Sequence, residues 1–291
     1  MNENTSENTS TAQTAADSTT APLTLVLGAS GKTGRRVAER LEAAGADVRR
    51  GSRSASPAFD WEDPATWPAA LEGVSAVYLS FFPDLAVPGA PEAIAAFAEQ
   101  ARRAGVRRVV LLSGRGEVEA QRAEQVIAGT AFDWTVVRAS WFAQNFSEGA
   151  FLDAVLSGEV ALPVGDVGEP FVDADDIADV AVAALTEDGH HGRVYEVTGP
   201  RLLTFAEAVA AIALATGREI AFVPIPLDAF TGYLAEAGEP QEVIDMLAYL
   251  FTEVLDGRNA HVTDGVFRAL GRQPRDFADF AFTAAENGAW K

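Results

Sequence analysis

The stretch LTLVLGASGKTGRR, residues 23–36, decides the fold of this chain. A run of apolar residues typical of a buried strand is followed directly by three glycines, Gly28, Gly31 and Gly34. In a strand–turn–helix unit, glycines at these positions allow a tight turn, a close backbone approach to a ligand and close packing of the helix on the strand. The free N–H groups and the dipole of the helix start then favour a bound phosphate. The stretch therefore predicts a site for the pyrophosphate of a dinucleotide.

The glycine-rich turn has two alternative interpretations. The first is a tight turn without a ligand, but this turn lies at the first strand–helix junction of an alternating α/β pattern, which is the context that dinucleotide sites require. The second is a phosphate loop for ATP, which is excluded because no glycine stands five residues before Gly31 in Gly31-Lys32-Thr33. We therefore expect cofactor contacts from the turn at Gly28, Ser30, Gly31, Lys32, Thr33 and Gly34.

The order of apolar runs and helical periods predicts a doubly wound α/β domain of the Rossmann type. Alternation of this kind requires crossover connections, and hence a parallel sheet with helices on both faces. Whether a further short strand forms before Asp60 stays open. The predicted strands are 23–27, 47–51, 75–80, 107–112 and 134–137, and the predicted helical segments are 33–44, 64–73, 91–104 and 117–129.

From about residue 140 the alternation loosens, and we expect a small, mostly helical substrate-binding lobe that returns strands to the sheet edge. The predicted helices here are 143–157, 175–186, 204–216, 239–255 and 274–287, and the predicted strands are 194–197 and 220–223. The first 21 residues repeat Asn-Thr-Ser units and contain no aromatic residue, which predicts a disordered tail. The predicted domains are the tail 1–21, the NAD(P)-binding domain 22–140 and the lobe 141–291.

Composition excludes several kinds of chemistry and partner. The chain of 291 residues has no cysteine, which rules out disulfides, thiolate nucleophiles and cysteine-bound metals. Its net charge of −20 disfavours nucleic acid and anionic membrane surfaces as partners. No apolar run approaches the roughly 20 residues of a membrane span. We expect a cytoplasmic protein that acts on a small molecule and uses no metal. Whether it forms a homodimer stays open.

Two polar clusters resemble metal sites but have simpler interpretations. The acidic run between Asp173 and Asp179 lies at a predicted helix start, where the helix dipole favours acids. The pair His190-His191 has no third ligand at a suitable spacing, so we interpret it as a solvated turn. No metal site is expected.

The end of the second strand indicates which dinucleotide binds. An acidic residue there would bind the ribose 2′-hydroxyl of NAD, whereas a basic residue would accept the 2′-phosphate of NADP. The strand ends in Ser52-Arg53 without an acid. We therefore expect NADPH, with Arg53 and Ser52 at its 2′-phosphate. Asp60 and Trp61 follow and would lie near the adenine, with packing of Trp61 on Trp67 as the equal alternative.

Two further strand ends lie where doubly wound folds bind ligands. One carries Ser80 and Phe81, expected at the cofactor, and Phe82, expected at the substrate. The other ends at Ser113, beside the expected nicotinamide. Ser113 is predicted either to donate a hydrogen bond to a substrate carbonyl or to cap the helix 117–129, and the residues alone do not decide between these roles.

The chain lacks the catalytic pair of typical short-chain dehydrogenases. These enzymes use Tyr-x-x-x-Lys as proton donor and neighbouring cation, but none of the four tyrosines is followed by lysine at that spacing, and the only lysines are Lys32 and Lys291. General acid catalysis of this kind is worth roughly 10²–10⁴-fold. An enzyme without it is expected to use acceptors that tolerate late protonation, such as quinones, iminium ions or activated alkenes.

Five segments resemble the NmrA-like atypical short-chain dehydrogenases. They are GASGKTG at 28–34, VRRVVLLSG at 106–114, AEQVIAGTAFDWTVVRASWFAQNF at 123–146, FVDADDIADVAVAAL at 171–185 and GRVYEVTGPRLLTFAEAVAAIALATGREIAFVPIP at 192–226. The resemblance implies an NAD(P)-binding Rossmann domain with a small lobe over the nicotinamide. By position in the family, four residues are implied to line the nicotinamide and the substrate: Arg138, Trp141, Phe142 and Asn145.

This family includes type 2 quinone oxidoreductases, azoreductases and ergot-alkaloid reductases, as well as redox-sensing regulators without turnover. The resemblance implies an NADPH-dependent oxidoreductase that transfers hydride to a small conjugated acceptor, namely a quinone, an enone or an imine. The alternative is a non-catalytic NADP(H) sensor that acts through a protein partner. An open apolar pocket beside the nicotinamide favours the enzyme, and a pocket filled by side chains favours the sensor.

Overall fold

A computed structural model describes residues 22–291, so the predicted tail lies outside the described residues. Six strands of this part of the chain form one parallel sheet in the order β2-β1-β3-β4-β5-β7, and β6 pairs with β8 outside it. This topology confirms the predicted doubly wound α/β fold. The strands are β1 (Leu23–Leu27), β2 (Val48–Gly51), β3 (Val74–Leu79), β4 (Arg108–Gly114), β5 (Asp133–Ala139), β6 (Glu159–Leu162), β7 (Arg193–Val197) and β8 (Ala221–Pro224).

Helices connect the strands and build most of the C-terminal part. They are α1 (Lys32–Ala43), α2 (Trp67–Leu71), α3 (Ala90–Ala104), α4 (Val118–Ala128), α5 (Asn145–Glu148), α6 (Leu152–Ser157), α7 (Ala174–Thr186), α8 (Phe205–Thr216), α9 (Leu227–Glu236), α10 (Gln241–Tyr249), α11 (Gly265–Leu270) and α12 (Phe277–Glu286). A π-helical turn, Leu250–Val254, continues α10. Within residues 22–291, no helix is both long enough and apolar enough to cross a membrane.

Apolar layers hold helices on both faces of the sheet. On one face, α3 and α4 contribute side chains such as Phe97 and Ile127. On the other face, α1 and α7 contribute Leu41 and Ile177. All four side chains are fully buried, and each is worth about 1.5–3 kcal/mol on transfer from water. Burial on both faces explains why Leu25, Val26 and Leu27 of β1 are consecutive apolar residues.

A third apolar cluster forms the C-terminal lobe and is rich in aromatic rings. The rings of Phe171 and Phe205 pack edge to face with their centroids 5.0 Å apart. Trp141, which follows β5, joins this cluster with its ring 5.2 Å from that of Phe251 in the π-helical turn. The cluster therefore fixes the lobe against the segment that leaves the carboxyl end of β5.

Several elements differ from the sequence predictions. No strand forms before Asp60, because Phe59 turns into the core and packs on Trp67 instead of pairing with the sheet. The predicted helix 143–157 is split into α5 and α6, since Gly149 is extended, with φ −146° and ψ −155°. Sequence patterns also missed three elements, β6, α9 and α11, which are short or pack in the lobe and the edge rather than in the regular alternation.

The division of the chain at residue 140 stays a prediction. After that residue the chain does not remain in the lobe, because α7 packs against α1 and β7 pairs with β5 along Thr135–Ala139. Part of the segment 141–291 therefore completes the sheet and its helical layer.

The acidic run at the start of α7 is used in ion pairs. Arg40 of α1 donates to Asp179 at 2.7 Å and to Asp175 at 2.5 Å. Arg275, from the segment before α12, pairs with the fully buried Asp176. Asp173 caps α7 by accepting from the backbone N–H of residue 175. These carboxylates therefore join α7 to α1 and to the C-terminal segment.

We expect Gly34→Ala to destabilise the protein by about 1–3 kcal/mol and to weaken cofactor binding, since overpacking forces backbone shifts. A Cβ at Gly34 would collide with the carbonyl group of Gly28, so α1 would have to move away from the turn. Gly232→Ala is the matched control, because Gly232 also lies in a helix and a Cβ there meets no atom within 4 Å. Equal melting temperatures for Gly34→Ala and wild type in thermal denaturation would contradict the assigned close contact.

Candidate functional site

A cavity of about 590 Å³ lies at the carboxyl ends of the parallel strands. Its walls come from the turns after β1, β2, β3, β4 and β5, which all meet at this edge of the sheet. The lobe closes the far side through Phe151, Leu250 and Val254. One continuous space therefore connects the glycine-rich turn to the apolar surface of the lobe.

The glycine-rich turn forms a cradle at one end of this cavity. Gly28 has a φ of +66°, which favours glycine, and the N–H of Gly31 donates to its carbonyl oxygen at 2.8 Å. Gly31 is the N-cap of α1, so no side chain caps the helix, and no acid stands in its first turn. The helix start is thus open to an anion. Ser30, Lys32 and Thr33 line the cavity, whereas Gly34 lies behind it in the helix–strand contact.

Arg53 stands exposed on the cavity wall at the end of β2, next to Ser52. Its guanidinium carbon lies 5.7 Å from the ring centre of Phe82, which is 64% exposed. The two preceding arginines are engaged elsewhere: Arg49 donates to the carbonyl of residue 70 at 2.8 Å, and Arg50 pairs with Glu42 at 2.7 Å. The structure therefore brings Arg53 and Ser52 together on the cavity wall, and it places Phe82 beside them.

The Trp61 side chain packs on Trp67, which was one of the two alternatives, and it also faces the cavity; its place near the adenine stays a prediction. It lines the cavity together with Asp60, Ser80 and Phe81, and its ring lies 5.9 Å from that of Trp67. Its Nε1–H donates to the carbonyl oxygen of Ser80 at 3.2 Å. The aromatic packing therefore positions Trp61 on the cavity wall.

Ser113 lines the cavity, but its hydroxyl is committed to the protein interior. The side chain is 4% exposed and donates to Glu124 at 2.6 Å. Ser113 does not cap α4, since the N-cap position is Glu117, so the capping alternative is wrong. The hydroxyl proton of Ser113 is therefore already engaged in a hydrogen bond to the carboxylate of Glu124.

Arg138 does not line the cavity, in contrast to the other three residues implied by the family segment. Its guanidinium donates to Glu124 from Nε at 2.8 Å and to Glu196 at 2.6 Å, and these contacts hold its pKa above the ordinary value. It therefore acts as a partly buried cross-link between α4, β5 and β7. Trp141, Phe142 and Asn145 do line the cavity.

Lys32 reaches toward the lobe side of the cavity. Its ammonium lies against Gly149, where a Cβ would meet the lysine Cε at 2.7 Å. Burial lowers the pKa of Lys32, and Glu148 and Asp84 oppose that shift. Lys32 therefore presents its charge between the glycine-rich turn and the gap that separates α5 from α6.

Sequence reasoning missed several acidic residues of the cavity wall, and three of them, Asp84, Glu117 and Glu169, have raised pKa values. Burial raises the pKa of all three, in the case of Glu169 to about 7. Glu169 accepts from the backbone N–H of Trp141 at 3.2 Å. Nothing in the sequence marks these acids, because only the tertiary fold buries them.

Comparison with known proteins agrees with this geometry. Residues 28–188 match the profile of a family described as NAD(P)H-binding. The chain belongs to this family. It is 32% identical over 279 residues to an NAD(P)H azoreductase of Xenophilus azovorans, covering 88% of this chain and 96% of the relative. It is 33% identical over 279 residues to agroclavine dehydrogenase of Claviceps fusiformis, covering 88% and 95%.

The fold is also similar to that of solved structures. Triphenylmethane reductase of Citrobacter sp., complexed with NADP(H), superposes with a TM-score of 0.72 at 18% identity, covering 91% of this chain and 99% of that chain. Together these relatives confirm the resemblance to the NmrA-like atypical short-chain dehydrogenases. The protein is an NAD(P)H-dependent oxidoreductase.

The raised pKa of Glu169 makes stability depend on pH. A carboxyl whose folded pKa is about 7 contributes stability that is complete below its unfolded pKa and is lost as the pH rises through about 7. Between the two pKa values this contribution falls by about 1.4 kcal/mol per pH unit. We expect Glu169→Gln to flatten the fall in melting temperature over this range. Glu159→Gln, at an exposed position of β6, is the control, and an identical pH profile for wild type and Glu169→Gln would contradict the assignment.

Proposed function

We propose that the protein is an NADPH-dependent reductase that transfers hydride to a small conjugated acceptor, namely a quinone, an enone or an imine. The observation that carries the proposal is the open, continuous cavity between the glycine-rich turn and the aromatic lobe. A sensor that needs no acceptor would gain nothing from open space at the lobe end. The open cavity therefore favours turnover over the alternative role of an NADP(H)-sensing regulator that acts through a protein partner.

The residues of the cradle suit NADP(H). A Cβ at Gly31 would stand 3.2 Å from the carbonyl oxygen of Gly28, so glycine permits the tight turn, and the uncapped start of α1 is open to a pyrophosphate. Arg53 and Ser52 would hold the 2′-phosphate, and Trp61 would lie along the adenine. When bound, the cofactor supplies a hydride from its nicotinamide, and the chain's part is to orient the acceptor and exclude water.

Phe82 and Trp141 are assigned to opposite ends of the cavity. Phe82 stacks near Arg53, so we place it at the adenine end of the cofactor rather than at the substrate. Trp141 and Phe151 lie at the lobe end with parallel rings 6.1 Å apart, and both line the cavity. Flat apolar walls of this kind suit a planar conjugated acceptor. Asn145 lines the same end and offers an amide to a polar substituent.

The names of the relatives support an acceptor of this class. One relative is named for azo compounds and another for agroclavine, and both share more than 30% of their aligned residues with this chain. A cytoplasmic location and a homodimer stay predictions.

Arg53→Ala should weaken NADPH binding roughly 10- to 100-fold and NADH binding little, since a charge-assisted hydrogen bond contributes about 1.5–3 kcal/mol. Arg50→Ala is the matched control, because Arg50 lies on the same strand but pairs with Glu42. Fluorescence titration with both cofactors measures the effect. Equal losses for NADPH and NADH in Arg53→Ala would rule out the 2′-phosphate contact.

Screening the purified protein with NADPH against quinones, enones, imines and aliphatic ketones tests the reaction class. We expect steady-state oxidation of NADPH with the conjugated acceptors and much slower oxidation with aliphatic ketones. Tight NADPH binding without turnover on any acceptor would instead support the regulator.

A further inference from the structure

The Glu117 side chain is a buried carboxyl group on the wall of the cavity. It precedes α4, three residues beyond the end of β4, and it is 9% exposed. Its carboxyl group packs over Gly114, where a Cβ would collide with it. Among residues 22–291, its Oε2 atom has no hydrogen-bond partner. An unpartnered carboxyl oxygen in such a place is costly unless a ligand or a proton satisfies it.

The groups around Glu117 favour its neutral form. Asp84, from the loop after β3, and Glu124, from α4, both add negative potential, and burial acts in the same direction. The nearby cations interact with other groups. The charge of Lys32 opposes the effect of burial on the pKa of Asp84, and Arg115 donates hydrogen bonds to His261 and Ser140. Burial, together with the charges of Asp84 and Glu124, therefore holds the pKa of Glu117 well above its ordinary value and favours the protonated form.

Glu117 differs from the other acidic candidates on the cavity wall, because those already have hydrogen-bond partners in the protein. Glu169 accepts from the backbone N–H of Trp141, and Asp84 accepts from that of Ala86. Ser113 donates its proton to Glu124, and Arg138 is locked between two carboxylates outside the cavity wall. Glu117 shares the carboxyl end of β4 with Ser113, where the nicotinamide of a bound cofactor is expected.

We propose that Glu117 is the proton donor of the reduction. As hydride adds to one end of the conjugated acceptor, an electron pair moves to the other end, the O–H bond of Glu117 breaks, and the proton is transferred there. The carboxylate that remains is reprotonated from solvent, so one NADPH and one proton are consumed for each acceptor reduced. This inference rests on the proposed reductase function.

Two acceptors separate the proton step from the hydride step. A neutral cyclic enone needs both a hydride and a proton, whereas a cationic triphenylmethane dye becomes neutral on gaining the hydride alone. Glu117→Gln should lower the kcat for the enone by roughly 10²–10⁴-fold and leave reduction of the dye nearly unchanged. Glu119→Gln removes a carboxylate from the same end of α4, where it pairs with Arg122, and should change neither rate.

The dependence of kcat on pH gives an independent test of Glu117 as the proton donor. With the enone, wild-type kcat should fall as the pH rises through the raised pKa of Glu117, because only the protonated form donates. Glu117→Gln should lack this fall, and Glu117→Asp, which keeps an acid, should recover part of the rate. Infrared difference spectroscopy at neutral pH should show a protonated carboxyl band in the wild type that disappears in Glu117→Gln.

The outcomes distinguish the two proposals. The role of Glu117 would be overturned, and the reductase function left intact, if the wild type reduced both acceptors and Glu117→Gln reduced the enone as fast as the wild type. The absence of a protonated carboxyl band from the wild type would have the same meaning. Wild-type protein that binds NADPH but reduces neither acceptor would overturn the reductase function itself. Unchanged NADPH affinity in Glu117→Gln, measured by titration, shows that the variant is folded.

Discussion

The close contact between α1 and the turn after β1 is the constraint on which the rest of the site depends. Gly34 packs so closely on Gly28 that a side chain does not fit between them. This contact fixes the N-terminus of α1 at the carboxyl edge of the sheet, directed at the cavity. Neighbouring strand ends then supply the remaining walls, because parallel strands all end at the same edge.

Two buried carboxyl groups, Glu117 and Glu124, determine the electrostatics of the cavity near the end of β4. Glu124 receives hydrogen bonds from Ser113 and Arg138, so its own charge is compensated inside the protein. Glu117 lies nearby without such compensation. Two carboxyls that are only a few residues apart on the chain thus have opposite environments, and this difference is what separates a structural ion pair from a candidate acid.

Local sequence patterns predicted the sheet and the glycine-rich end of the cavity, and the family resemblance implied Trp141, Phe142 and Asn145 at the lobe end, but neither indicated the buried acids. The glycine spacing and the apolar runs were sufficient for β1 to β5 and for the cradle, because these features follow from local sterics and burial. Of the three arginines Arg49, Arg50 and Arg53, the sequence assigned Arg53 to the 2′-phosphate only because it stands at the end of the strand. The inward orientation of Glu117 and Glu169, and the commitment of Arg138 to Glu124, depend on contacts between segments far apart in the chain, which no local pattern reports.

Two short stretches differ from the simplest interpretation of the sequence for different physical reasons. The strand that stayed open before Asp60 does not form because Phe59 inserts into the core, so tertiary packing outweighs local propensity there. The helix expected over 143–157 is interrupted at Gly149, a residue type with low helix propensity.

The central claim is that the cavity holds a reduced nicotinamide against an acceptor. Its most direct test is mass spectrometry of the product formed from an activated alkene and NADPH that carries two deuterium atoms at C4 of the nicotinamide. The account predicts that one deuterium is transferred from one face of the ring to a carbon of the product. A product without deuterium, formed while NADPH is consumed, would contradict hydride transfer in this cavity.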